Sequence, residues 1–406
     1  MGDNNDAEEK GFSFAIPQLP PLTPEREAAL DRWQKAQDTR HLAEDTRRRQ
    51  LVASARSIQR ALEAYEQIDT GGLNSVRIRG ELFRCDPPRE LRADEHPYSL
   101  AEDLSSRPLL TRLVARKQHT LKMLLSLIYV AHLENDPGEP FANRHPNMPR
   151  HSNVRSWLEL CGLWEPAAGR QPSTHQRAQR RKLTTPLKHL AGHNILVTGE
   201  DEAAGRYRQF GLLSETGSTA AYTVPGERQA RTNDVIEIPA DFFRHGWHLV
   251  LDDLEIATLI AIIDRTGKLR YLPRKNGVHD IGVDLKESIR WPVYGLSWEA
   301  YSSVNKLHDF GCIDKIDPMP HRRSSRKPIQ ALVFGSAADE PPQAPKAHPE
   351  VEDEQVNEAR EAYRLVYPPE THEHPFARDA LSVVRDRLFD DSGGHLRKRV
   401  AEGSGP

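Results

Sequence analysis

The chain has 406 residues, 37% of them apolar and 28% charged, with 59 acids against 56 Lys and Arg for a formal charge of −3. That length holds two or three domains of ordinary size, and the charge balance excludes a polycation that grips nucleic acid by bulk charge alone. Cys85, Cys161 and Cys312 lie too far apart for a disulfide framework or a cysteine metal site. An acidic N-terminus and the absence of an apolar run of membrane length lead to the expectation of a cytoplasmic protein without a membrane partner.

Residues 1–22 are acidic and then Pro-rich (IPQLPPLTP), a composition that predicts disorder. Thr23-Pro24-Glu25-Arg26 is a helix start, with a Thr cap, Pro in the first turn and an acid near the positive end of the helix dipole. No Gly or Pro follows before Ile68, so a helical arm is predicted over 23–70. Leu51, Ala55, Ile58, Leu62 and Tyr65 alternate at steps of four and three. Such a seam packs on the chain's own domain or forms a coiled coil, and the spacing leaves both open. Gly71-Gly72 ends the arm, and 71–104, with one strand-like run (VRIRGELF), form a connector.

A first domain is predicted over 105–226. Leu109 to Leu133 is the most apolar helical pattern, ended by Asn135-Asp136-Pro137-Gly138. A short helix (VRSWLELCGLW) follows, and then a basic helix (THQRAQRRKLTTPLKHLAG) with Ser173 as a cap. Pro186 predicts a kink or a restart capped by Thr185. NILVTG and TAAYTVPG form two strands around a long excursion. A second domain over 227–368 repeats the order. IPADFF begins a small helix, LDDLEIATLIAIIDRT is capped at Asp252 or Asp253, and DLKESIRW precedes WEAYSSVNKLHDFG, with Ser297 as a cap and Gly311 as its left-handed end. CIDKID and AYRLVYP are strands flanking a long insert, 319–361. Within the insert, 338–361 carry eight acids against two bases. Residues 369–406 form a tail.

SWLELCGLW with STHQRAQRRKLTTPLKHLAGHNILV, and LEIATLIAIID with LSWEAYSSVNKLHDFGCIDKID, resemble the tandem winged-helix domains of theta-type bacterial plasmid replication initiators. The second unit is also similar to a family of uncharacterised actinobacterial proteins. The likeness covers roughly residues 105–368. It implies an α+β, mainly helical fold of two winged-helix domains, each a helix-turn-helix plus β-hairpin, with a long N-terminal helix and disordered tails. Initiators of that type place their strongest DNA contacts on the second domain, whereas here the first carries the basic helix.

From Arg144 to His193 nine Lys and Arg face two acids, Glu159 and Glu165. Arg outnumbers Lys 42 to 14 in the whole chain; codon bias explains that ratio but not the missing acids. In a winged helix the third helix enters the major groove while the wing touches backbone. Arg177 and Arg180 suit guanine O6/N7 and Gln176 adenine N6/N7, while Arg181, Lys182 and Lys188, with Arg155 nearby, suit phosphates. Seven net charges, most of them on backbone, predict a salt slope of about −4 to −6. On the second helix Trp298, Ser302, Ser303 and Asn305 are the expected outward face, with Lys306 its only base and with Arg322, Arg323, Arg326 and Lys327 in the wing. Base reading and protein docking both fit that face.

Catalysis has little support. Gly267-Lys268 lacks the earlier glycine of a phosphate loop, and His372-Glu373-His374 is not a nuclease histidine pair. No cofactor or metal is expected. The expected partners are double-stranded DNA, bound sequence-specifically by a homodimer in replication initiation or transcription regulation. The rival is a protein-interaction scaffold of a replication or chromosome-maintenance complex.

Overall fold

The computed structural model describes residues 24–86, 88, 107–114, 119–149, 154–167, 169, 171–199, 206–228, 234–270, 282–316, 363–369 and 374–389. Segment 1–22 and the insert 319–361 lie outside them. The described residues are mainly helical with three two-stranded sheets, and none of their helices is long and apolar enough to cross a membrane. The chain divides into a unit of Met1–Thr46 with Arg326–Asp339 and a larger one of Arg47–Ser325 with Glu340–Pro406. In the first, described residues 24–46 are one stretch of helix, with the Thr39 and Thr46 hydroxyls on carbonyls one turn back.

Helix α1 (Pro24–Ile68) runs without interruption, as its lack of interior Gly and Pro requires. Within the larger unit Leu51, Ile58, Leu62 and Tyr65 of its seam are buried and Ala55 half-buried. The seam therefore packs on the chain's own core, each large side chain contributing roughly 1.5–3 kcal/mol. After Gly71, in the left-handed region (φ 79), comes β1 (Ser75–Arg79), antiparallel to β4 (Val235–Pro239) with Arg77 opposite Glu237. Val76, Ile78, Leu82 and Phe83 are buried, so this part of the expected connector is core.

The continuous helix expected over 109–133 is two, α2 (Leu109–Val114) and α3 (Thr120–Glu134). The break is fixed at His119, whose left-handed conformation (φ 55) no helix interior tolerates. Helix α3 is apolar nearly all round and buried accordingly. Then follow α4 (Trp157–Leu160), α5 (Pro172–Gly192), β2 (Leu196–Val197) and β3 (Gly211–Leu212). The expected partner of β2 was TAAYTVPG; instead β2 pairs with β3, inside the excursion. Residues 221–223 continue the ladder, bridging Leu213 on one side and Pro140 on the other.

The second half runs α6 (Asp241–Arg244), α7 (Trp247–Val250), α8 (Asp253–Arg270), α9 (Glu287–Tyr294), α10 (Trp298–Asp309), β5 (Asp314–Ile316) and β6 (Arg364–Val366). Asp252 and Glu255 bond each other's backbone N–H at the start of α8, which settles the cap on Asp252. Strand β6 pairs with β5 and exchanges two bonds with Val283, which lies between α8 and α9. Gly282 makes that exchange possible, since a Cβ on it would stand 2.7 Å from the Leu365 carbonyl oxygen at φ 83.

Both halves thus share one order: helix, bridging residue, short helix, longer helix, and strands that return to the bridging residue. They are fused, because β1 and β4 pair and the Thr111 hydroxyl bonds the Tyr294 carbonyl (2.6 Å). Part of the expected tail joins them. Phe376, Ala380 and Val384 are buried, 380–389 form helix α11, and the Trp247 indole N–H bonds the Arg378 carbonyl.

Candidate nucleic-acid interface

Helix α5 starts with Pro172 at its first position and Gln171, not Ser173, at the cap. It passes Pro186 without restarting: the Thr185 hydroxyl bonds the Arg181 carbonyl (2.9 Å). It stops at Asn194, in the left-handed region (φ 57), where Asn194 N–H bonds the Ala191 carbonyl and Ile195 N–H the Leu190 carbonyl. That pair of bonds is a Schellman stop with Asn in glycine's place, and β2 leaves directly from it.

Gln179, Leu183, Pro186, Leu187 and Leu190 are the buried face of α5. Gln176, Arg177, Arg180, Arg181, Lys182 and Lys188 are all exposed. At 3.6 residues per turn, positions 177, 180, 181, 184 and 188 fall within about a 100° arc that adjoins the buried stripe, the two centres about 120° apart. Arg177, Arg180, Arg181 and Lys188 make no ion pair with any described residue. Gln176 is exposed in the first turns but falls about 40° outside this arc, toward the side of the buried stripe.

Two of the expected cations are engaged. Lys182 pairs with Glu165, whose carbonyl accepts from Gln179. Arg155 bonds the Gln67 side chain (2.6 Å) and reaches Glu159 (3.5 Å). Glu159 is 3% exposed, closes a capping box with Ser156 and takes Arg60 at 2.7 Å. Burial opposes its charge, but the Ser156 amide and hydroxyl and the Arg60 guanidinium hold its carboxyl below the ordinary range.

Helix α10 holds the matching place in the second half and ends the same way, with Gly311 N–H on the His308 carbonyl and Cys312 N–H on the Leu307 carbonyl. Ser297 is at its cap position without a side-chain bond. Ser302, Asn305 and Lys306 are exposed, but each is tied down. The Ser302 hydroxyl bonds the Glu299 carbonyl, Asn305 accepts from Lys315 (2.7 Å), and Lys306 lies 3.6 Å from both Asp252 and Glu255. Ser303 is buried, not outward, because it falls on the 300, 303, 304, 307 stripe that meets the core. Trp298 is half-buried against Tyr301 (5.3 Å between rings). Arg322, Arg323, Arg326 and Lys327 lie outside the described residues.

Comparisons with family models, characterised proteins and solved structures give no match. The reading of α5 therefore rests on its own geometry. Among the described residues no group of three His, Cys, Asp or Glu could hold a metal ion. The sequence reading passed over Arg60 and Trp164, the guanidinium lying 4.5 Å over the indole beside the α4–α5 turn. Their signal was available: Arg47 to Leu62 carries five arginines and no acid.

Proposed function

We propose that the chain binds double-stranded DNA through two winged-helix units, with α5 as the helix that enters the major groove. One observation carries this reading: four exposed cations without ion-pair partners among the described residues share the outward face of a helix whose adjoining face is largely apolar and buried. Cations left unpaired on an ordered rod are matched by a polyanion. Arg177 and Arg180 present forks to guanine edges, Gln176 serves adenine, and Arg181 and Lys188 meet phosphates. The bridging residue, three helices and returning hairpin of each half are consistent with the winged-helix order. Replication initiation and transcription regulation both use such a module.

Fluorescence anisotropy with duplex DNA across a salt series tests the reading. The two phosphate contacts give a log–log slope of about −2, shallower than seven net charges imply, because Arg177 and Arg180 face bases and Lys182 and Arg155 are already paired. Replacing Arg177, Arg180 and Arg181 together by Ala lowers affinity more than about a hundredfold, at 1–3 kcal/mol per contact. Salt-independent binding, or an unchanged triple variant, overturns it. A second reading concerns α10 alone. Its outward groups are engaged by neighbours, which favours a protein-docking face there over a base-reading one.

A further inference from the structure

The acid-free run Arg47–Leu62 spends some of its arginines inside the molecule. Arg47 pairs with Glu255, and Arg48 Nε bonds the Leu388 carbonyl (2.5 Å). The others face out: Arg49 and Arg56 are exposed and the Arg60 side chain is 35% exposed. Steps of seven and four place these three within about a 40° arc of α1, over an axial length of about 16 Å. That length spans roughly five phosphates of one DNA strand. Val52 and Ala53, exposed between them, add no charge, and Glu63 closes the stripe.

Arg60 connects this stripe to the basic helix. Its guanidinium lies over Trp164, and the next residue, Glu165, is bonded to α5 through Gln179 and Lys182. Arg60 and Arg155 share the one carboxylate of Glu159, so the junction keeps a net positive charge. The outward stripe of α1 and the first half of α5 thus flank the same turn.

We propose that Arg56 and Arg60 of α1 form a second phosphate-binding track that holds the DNA backbone beside the groove entered by α5. The inference rests on the DNA-binding reading above. The single sign of charge and the fork geometry of guanidinium select phosphate over an apolar protein surface.

The test uses the whole chain with two random duplexes, one of about one helical turn (~10 base pairs) and one of about three (~30). Arg56→Glu should weaken binding to the long duplex about fivefold or more and flatten its salt slope by about one, with less than about a twofold effect on the short one. Arg60→Gln should act in the same direction, and Arg60→Lys, which keeps the charge, should restore most of the loss. Should Arg60→Gln unfold because Glu159 loses its partner, Arg56→Glu decides, since that side chain is exposed. If Arg56→Glu leaves the long duplex untouched while the triple Arg177, Arg180 and Arg181 variant loses affinity, the track is wrong and the α5 reading stands. If the wild-type chain shows no salt-dependent binding to either duplex, both fall.

Discussion

Helices α5 and α10 occupy the same place in two successive runs of elements, and both end in a Schellman stop from which a strand departs. They differ in what their outward faces do. The α5 face carries four cations without ion-pair partners among the described residues, whereas Ser302, Asn305 and Lys306 on α10 are each bonded to a neighbour. The scaffold sets where a helix sits and how it stops; the surface chemistry is chosen separately. Similar order in two halves is therefore no argument for equal roles.

The sharpest way to break this comparison is a matched pair of triple variants. Ala at 177, 180 and 181 has the hundredfold effect given above. Ser302→Ala, Asn305→Ala and Lys306→Ala together should change duplex affinity by less than about fivefold, since the one cation among them, Lys306, faces two carboxylates, Asp252 and Glu255, and leaves no net positive charge for DNA. Comparable losses from both sets, read by anisotropy, would make α10 a second reading helix.

Smaller effects probe the frames beneath the two helices. Glu159→Ala removes a capping box and leaves Arg60 and Arg155 without their carboxylate. It should cost about 2–3 kcal/mol of stability in urea denaturation, and a loss under about 0.5 kcal/mol would show that the turn before α5 is held otherwise. In the second half Gly282→Ala forces a positive φ and a clash with the Leu365 carbonyl. About 2 kcal/mol is expected, with the largest loss of amide-exchange protection at Val283 and Leu365.

The smallest effect is a pH dependence of the first half alone. His145 lies between the Glu134 carboxylate (2.9 Å) and the Arg155 carbonyl (2.8 Å). Burial disfavours its charge, yet the bond and the charge of Glu134 outweigh that and raise its pKa above the usual value. A raised folded pKa means stabilisation fully present below the unfolded value of about 6.5 and lost as pH climbs through the folded one. Wild-type stability should thus fall relative to His145→Asn as pH rises above about 6.5. Parallel curves for the two proteins would remove His145 from the account.

What was legible in the sequence follows the range of each signal. The basic face of α5, a cap at Asp252 or Asp253, Gly311 and the uninterrupted α1 depend on neighbours within a turn or two, and local spacing reveals them. That Lys182 is engaged depends on Glu165, and that Arg155 is engaged depends on Gln67, far back on α1. No periodicity carries that information. The VIEIP strand was missed for the same reason: its partner precedes it by some 160 residues. Strand β3 is two residues long, too short to show alternation. The apolar count made 109–133 look continuous, because a periodicity search does not register a single left-handed residue such as His119.

The β1–β4 ribbon has a practical consequence for dissecting the molecule. All five residues of β4 pair in register with a strand that precedes the first half. A fragment beginning after that strand would carry a bare edge with Val235, Ile236 and Ile238 on it, a template for sticking to its own kind. Domain-by-domain expression should therefore keep Ser75–Arg79 attached to whichever piece contains Val235–Pro239.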